Sequence, residues 1–152
     1  MKDYKLAILL STLMLNDISL GAEMQDNPFD FESHPSKSDE HPVSTAATFF
    51  LEEKEVSRLI EEARGGNSES ALRIYQYYEF SVRDEVKSQQ WEQTAAVLGN
   101  KTAQYNIALT FYEKDMLGFS LFWCEMAKKN GHSKAQELEH RVNKKISVMK
   151  RE

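Results

Sequence analysis

The side chains best suited to chemistry are few and scattered. Glu137 and His140 form a single E-x-x-H on the last predicted helix. A carboxylate-bridged metal site in a helical bundle needs that pair twice, with more carboxylates on facing helices. One copy reads as a solvated helical face. His34 and His41 stand among Glu32, Asp39 and Glu40, but their spacing matches no ligand set. Cys124 is alone, so no intrachain disulfide can form. Beside Trp123 in a helical pattern, it reads as a buried apolar thiol and not as a nucleophile. The chain has no G-x-S-x-G, H-E-x-x-H, P-loop or C-x-x-C. No catalytic group, metal or cofactor is assigned, and the chain is read as a non-enzyme.

The totals bound the remaining classes. With 152 residues, 41% of them hydrophobic, the chain holds one domain with a modest core. A net charge of -5 supplies no general basic field, which argues against a nucleic-acid binder. Lys2 and Lys5 precede the run Leu6–Leu15, apolar but for Ser11 and Thr12, and NDISLGA follows. This pattern reads as a signal peptide over 1–22, cleaved after Ala22, and implies export to the periplasm. The competing reading is a buried N-terminal helix. The run is short for a bilayer span, so an integral membrane protein is not expected. Residues 23–47 hold all three prolines, with Asp26, Asp30, Glu32, Asp39 and Glu40 facing only Lys37. They read as an acidic, flexible linker in which Phe29 and Phe31 are the groups able to dock. At the other end, Lys134, Arg141, Lys144, Lys145, Lys150 and Arg151 make a basic terminus.

Residues 48–152 form the folded domain, and its elements are helical. Val56, Leu59, Ile60 and Ala63 share one face of a helix predicted over Phe49–Arg64, which Gly65-Gly66 end. Asn67 or Ser68 caps a helix over Glu69–Val82, and Asp84 caps one over Glu85–Leu98. Helices over Thr102–Glu113 and Leu117–Asn130 follow, and Ser133 caps the last, which fades towards Met149.

One formula recurs along these helices. WEQTAAVLGNKTAQ at 91–104 and WCEMAKKNGHSKAQ at 123–136 both read Trp, three residues, Ala, three, Gly, three, Ala-Gln. Trp91, Ala95, Gly99 and Ala103 recur as Trp123, Ala127, Gly131 and Ala135, so the interval from Trp91 to Trp123 is the period of the repeat. Leu59, Ala63 and Ala71, one period before Trp91, Ala95 and Ala103, make a more degenerate first copy. Such a period marks a short α-solenoid of stacked antiparallel helix pairs. Glycine supplies the left-handed turn, small alanines permit a close crossing, and tryptophan fills the space between pairs.

The formula resembles the Sel-1-like repeat, a relative of the tetratricopeptide repeat, over about residues 59–140. The family's D-x-x-K-A-x-x-W is matched by Asp84, Lys87, Ser88 and Trp91, with Ser at the Ala position. In the second copy Asp115 is out of step and Gly118-Phe119 stand for Lys-Ala. The L-G-x-x-Y of the first helix is represented by Ile107-Ala108 and Phe111. The resemblance implies a binding scaffold whose inner face grips a protein partner. It places Tyr105, Leu109 and Tyr112 on that face, Arg73, Tyr77 and Phe80 in the preceding repeat, and Glu137 and Arg141 on the last helix. Tyr75, Tyr78 and Ile107 are assigned to packing and His132 to the hinge. Exported proteins of this kind include immunity proteins for type VI effectors, notably phospholipases. The same face would also suit an adaptor for an endogenous envelope protein.

Overall fold

The computed structural model describes residues 45–151, and among them the chain is all-helical. The signal peptide, His34, His41 and most of the acidic stretch lie outside the described residues. Within the described residues the α-helices are α1 (Thr45–Phe49), α2 (Glu53–Arg64), α3 (Ser68–Gln76), α4 (Glu85–Val97), α5 (Lys101–Glu113), α6 (Leu117–Lys129) and α7 (Ala135–Met149). The end of α3 widens into a π-helical turn over Tyr77–Val82. Each of α2 to α7 packs against its neighbours in sequence, and α7 also touches α5. None of these helices is long and apolar enough to cross a membrane.

The start differs from expectation. The helix predicted from Phe49 is broken, and Glu52 is extended while Leu51 turns inward to 2% exposure. The separate α1 takes in residues 45–47, which composition groups with the linker. Ser81 Oγ donates to the Ala46 carbonyl at 2.5 Å, fastening α1 to the π turn.

The turns follow from capping chemistry. The Asn67 side chain accepts from Glu69 N and Ser70 N, and Asn100 does the same for Thr102 N and Ala103 N. Asp84 accepts from Lys87 N. Ser133 does not cap α7; its first turn is closed by Ala135 N donating to His132 O at 3.2 Å. Gly66, Gly99 and Gly131 adopt φ of +96°, +96° and +82° after α2, α4 and α6. At the opposite ends the left-handed residues are Arg83 (φ 61°) and Asp115 (φ 59°), which are one period apart.

The core runs through the repeated positions. Trp91 and Trp123 are each 1% exposed, and Ala95, Ala103, Ala127 and Ala135 are fully buried. With the tryptophans aligned, the residues matching Lys87-Ser88 are Phe119-Ser120 and not Gly118-Phe119. Both serines are buried and anchor their helix: Ser88 Oγ donates to Glu79 Oε2 at 2.7 Å, and Ser120 Oγ to Ala108 O at 2.8 Å. Gln104 is also buried, donating to Ala96 O at 2.9 Å and accepting from Asn130 Nδ2 at 2.8 Å. Asn100 Nδ2 reaches back to Glu69 Oε1 at 2.9 Å. These bonds satisfy polar groups where successive helices meet.

Candidate functional site

Tyr105, Leu109 and Tyr112 lie at i, i+4 and i+7 on α5, one stripe of the helix, and all are half-buried. The Tyr105 ring stacks on His132 with centroids 4.2 Å apart. Burial, helped by Lys101 and Lys134, holds the His132 imidazole below its usual pKa and keeps it neutral. At the other end of the stripe, the Arg141 guanidinium sits 4.8 Å from the Tyr112 ring centre and the Lys145 ammonium 5.0 Å from it. Lys145 also pairs with Asp115. Arg141 is exposed. The stripe is therefore aromatic and aliphatic, with cations at both ends.

Arg73, Tyr77 and Phe80 do not join it. In α3 and the π turn that follows it, the buried Ile74 and Tyr78 match Ile107 and Phe111 in depth, an interval one position longer than the period. Counted this way, the partners of Tyr105, Leu109 and Tyr112 are Leu72, Gln76 and Glu79. Arg73, Tyr77 and Phe80 turn towards α1 instead. Arg73 Nη1 donates to Phe49 O at 3.5 Å, the Phe49 and Phe80 centroids are 4.7 Å apart, and Phe50 meets Tyr77 edge-on at 6.4 Å. Tyr77, 6% exposed, is core. The spare residue comes from the first junction: Ala63 to the cap Asn67 is one residue shorter than Ala95 to Asn100. The π turn absorbs it before Arg83 restores the regular step. On α7 the buried Leu138 and Val142 follow Ile107 and Phe111 one position short of the period, so Gln136, His140 and Asn143 occupy the equivalent stripe. Glu137 is exposed away from it, and Arg141 joins through Tyr112 alone.

A cleft of about 570 Å³ opens between the end of α3, α4 and α5, lined by Tyr75, Glu79, Glu92, Asn106 and Leu109 among others. Glu92 is the unexpected group. Ile60 stands one period before it and Cys124 one period after it, and both are buried. A carboxylate thus occupies a position that the other copies fill with apolar atoms. Burial pushes the Glu92 carboxyl up to about 7, with the nearby Glu79 charge adding to it, against hydrogen bonds from Asn106 and Tyr75 that favour the ionised form. Comparison at the repeat period could have found Glu92; nothing in composition marks Asn106. Burial also raises the Cys124 thiol to about 11, so it remains protonated. Among the described residues no group of three or more His, Cys, Asp or Glu side chains is placed to hold a metal.

No family model matches the chain, and no solved structure does. Among curated proteins it is similar to the uncharacterized protein YibG of Escherichia coli (strain K12), 35% identical over 106 residues, covering 62% of this chain and 69% of that protein.

Proposed function

The chain belongs to the family of YibG, and from its own geometry we propose that it is a non-catalytic protein-binding scaffold, a short solenoid of stacked antiparallel helix pairs of the Sel-1-like kind. The observation that carries this is the Tyr105–Leu109–Tyr112 stripe, left half-buried and ringed by Arg141, Lys145, Lys101 and Lys134. Tyrosine with arginine is the composition of interface hot spots, because a large rigid ring loses little entropy on contact. A solenoid of this kind would present one side of every second helix as a continuous surface. The partner is a protein with an acidic and apolar contact surface.

The Sel-1-like resemblance and the signal-peptide pattern extend the proposal. The chain acts in the periplasm as an immunity protein that clamps a secreted toxin such as a phospholipase; the alternative is an adaptor for an endogenous envelope protein. Purifying the tagged chain from its native envelope and identifying stoichiometric partners by mass spectrometry separates the two. A Tyr105→Ala/Tyr112→Ala double variant should weaken partner binding at least tenfold while its circular dichroism stays helical, at the cost of a lower melting temperature because both rings are half-buried. Binding that survives the double variant removes the stripe from the proposal, and a toxin-free partner set removes immunity.

A further inference from the structure

We propose that this chain binds a second copy of itself head to tail, the last turns of α7 in one copy meeting α1 and the start of α2 in the next. This goes beyond the partner-binding reading and does not rest on the α5 stripe. Three observations carry it. The first is exposed apolar surface. Among the described residues the large hydrophobic side chains left open are Phe50, Phe80, Val86, Val97, Val148 and Met149. Val86 and Val97 lie apart on α4. Phe50, 52% exposed, and Phe80 belong to the contact of α1 with the π turn, while Val148 and Met149, 50% exposed each, close α7. The second is charge. Directly after Phe50, the exposed Glu52, Glu53 and Glu55 surround a single base, Lys54. Residues 140–151 hold Arg141, Lys144, Lys145, Lys150 and Arg151 and no acid. An acidic aromatic patch thus opens the described chain and a basic aliphatic patch closes it.

The third is the repeat. The most extensive helix contacts are α3 on α4 and α5 on α6. α2 shares the register of α4 and α6, since Leu59 and Ala63 match Trp91 and Ala95, and α7 follows α5 as α5 follows α3. Among the described residues α2 is therefore a second member without a first, and α7 a first member without a second. Joined across two copies they complete a pair. The patches lie at the ends this requires: Ser81 fastens α1 to the turn that follows α3, and Lys145 pairs with Asp115 in the turn that follows α5. Within a pair the end of the first helix meets the start of the second, as Glu113 approaches Leu117. The same placement between copies sets Val148 and Met149 against Phe50, and Lys150 and Arg151 against Glu52 and Glu53. Each copy uses different patches for its two neighbours, so association does not close at the dimer.

Sedimentation equilibrium of the full chain tests this. At low ionic strength the weight-average mass should rise with concentration past the dimer, and salt raised from about 0.05 to about 0.5 M should weaken association at least about threefold, because the charges at the joint are exposed. Phe50→Ser and Val148→Ser/Met149→Ser should each be monomeric alone with unchanged helical circular dichroism. Mixed in equal amounts they should form a dimer and nothing larger, since only one working joint remains between them. Glu52→Lys/Glu53→Lys, which alters exposed side chains alone, should abolish association even where Phe50→Ser disturbs folding. A wild-type chain monomeric up to its solubility limit, association that stops at the dimer, association that survives the substitutions at either end, or a mixture that stays monomeric each overturns the proposal.

Discussion

A single carboxyl, in the cleft between α3, α4 and α5, makes the stability of this molecule sensitive to proton concentration. Glu92 keeps its proton to about pH 7 in the folded chain, against an ordinary value of 4.5. Between those values the unfolded chain has released the proton and the folded chain has not, so stability falls as pH rises towards 7 and then levels off. Glu92→Gln keeps the partners Tyr75 and Asn106 but removes the titration. The variant should lose part of the wild-type drop in melting temperature between pH 5 and pH 8, measured by circular dichroism. An unchanged slope would mean that Glu92 ionises normally. Asn100 is the second informative residue. It caps α5 and reaches back to Glu69, so Asn100→Ala should cost about 1–2 kcal/mol in denaturant unfolding. Neither role stands out in sequence: Glu92 is visible only against Ile60 and Cys124, and Asn100 only as one polar residue after a glycine.

Among the elements, α4 and α6 are legible in the sequence and α3 and α7 less so. The tryptophans, alanines and glycines of α4 and α6 keep the period because each fills a fixed place at the helix crossing. Ala95→Leu adds volume where no space exists and should cost about 1–3 kcal/mol, read as a shift in the denaturation midpoint. The step from α3 to α5 is one position too long and the step from α5 to α7 one too short, and composition does not record the difference. A π turn takes up one residue because its backbone bonds span five positions and not four, and the closed turn at His132–Ala135 begins α7 differently, with no proline or glycine in either to mark it. That slip is why a strict period puts Arg73 and Tyr77 in register with the Tyr105–Leu109–Tyr112 stripe. A one-residue deletion inside Tyr77–Val82 should therefore lower the melting temperature less than deletion of Thr110 from the regular α5. Equal losses would show that the π turn is held by its side-chain contacts.

At the scale of the molecule, each helix leans on the next and the polar bonds at the joints run in sequence, from Glu69 to Asn100 and from Gln104 to Asn130. The period makes this stacking order legible. The docking of α1 is not, since a short stretch of small and aromatic residues carries no helical period. The position of Arg83 and Asp115 has a consequence for how such a chain can lengthen. Both residues sit at nearly the same left-handed backbone angle, one period apart, so the stretch 84–115 starts and ends at geometrically matching joints. A tandem copy of those residues inserted after Asp115 would arrive and depart along the existing chain directions. Growth by duplication of that segment, in the laboratory or in evolution, would need no new turn to be invented.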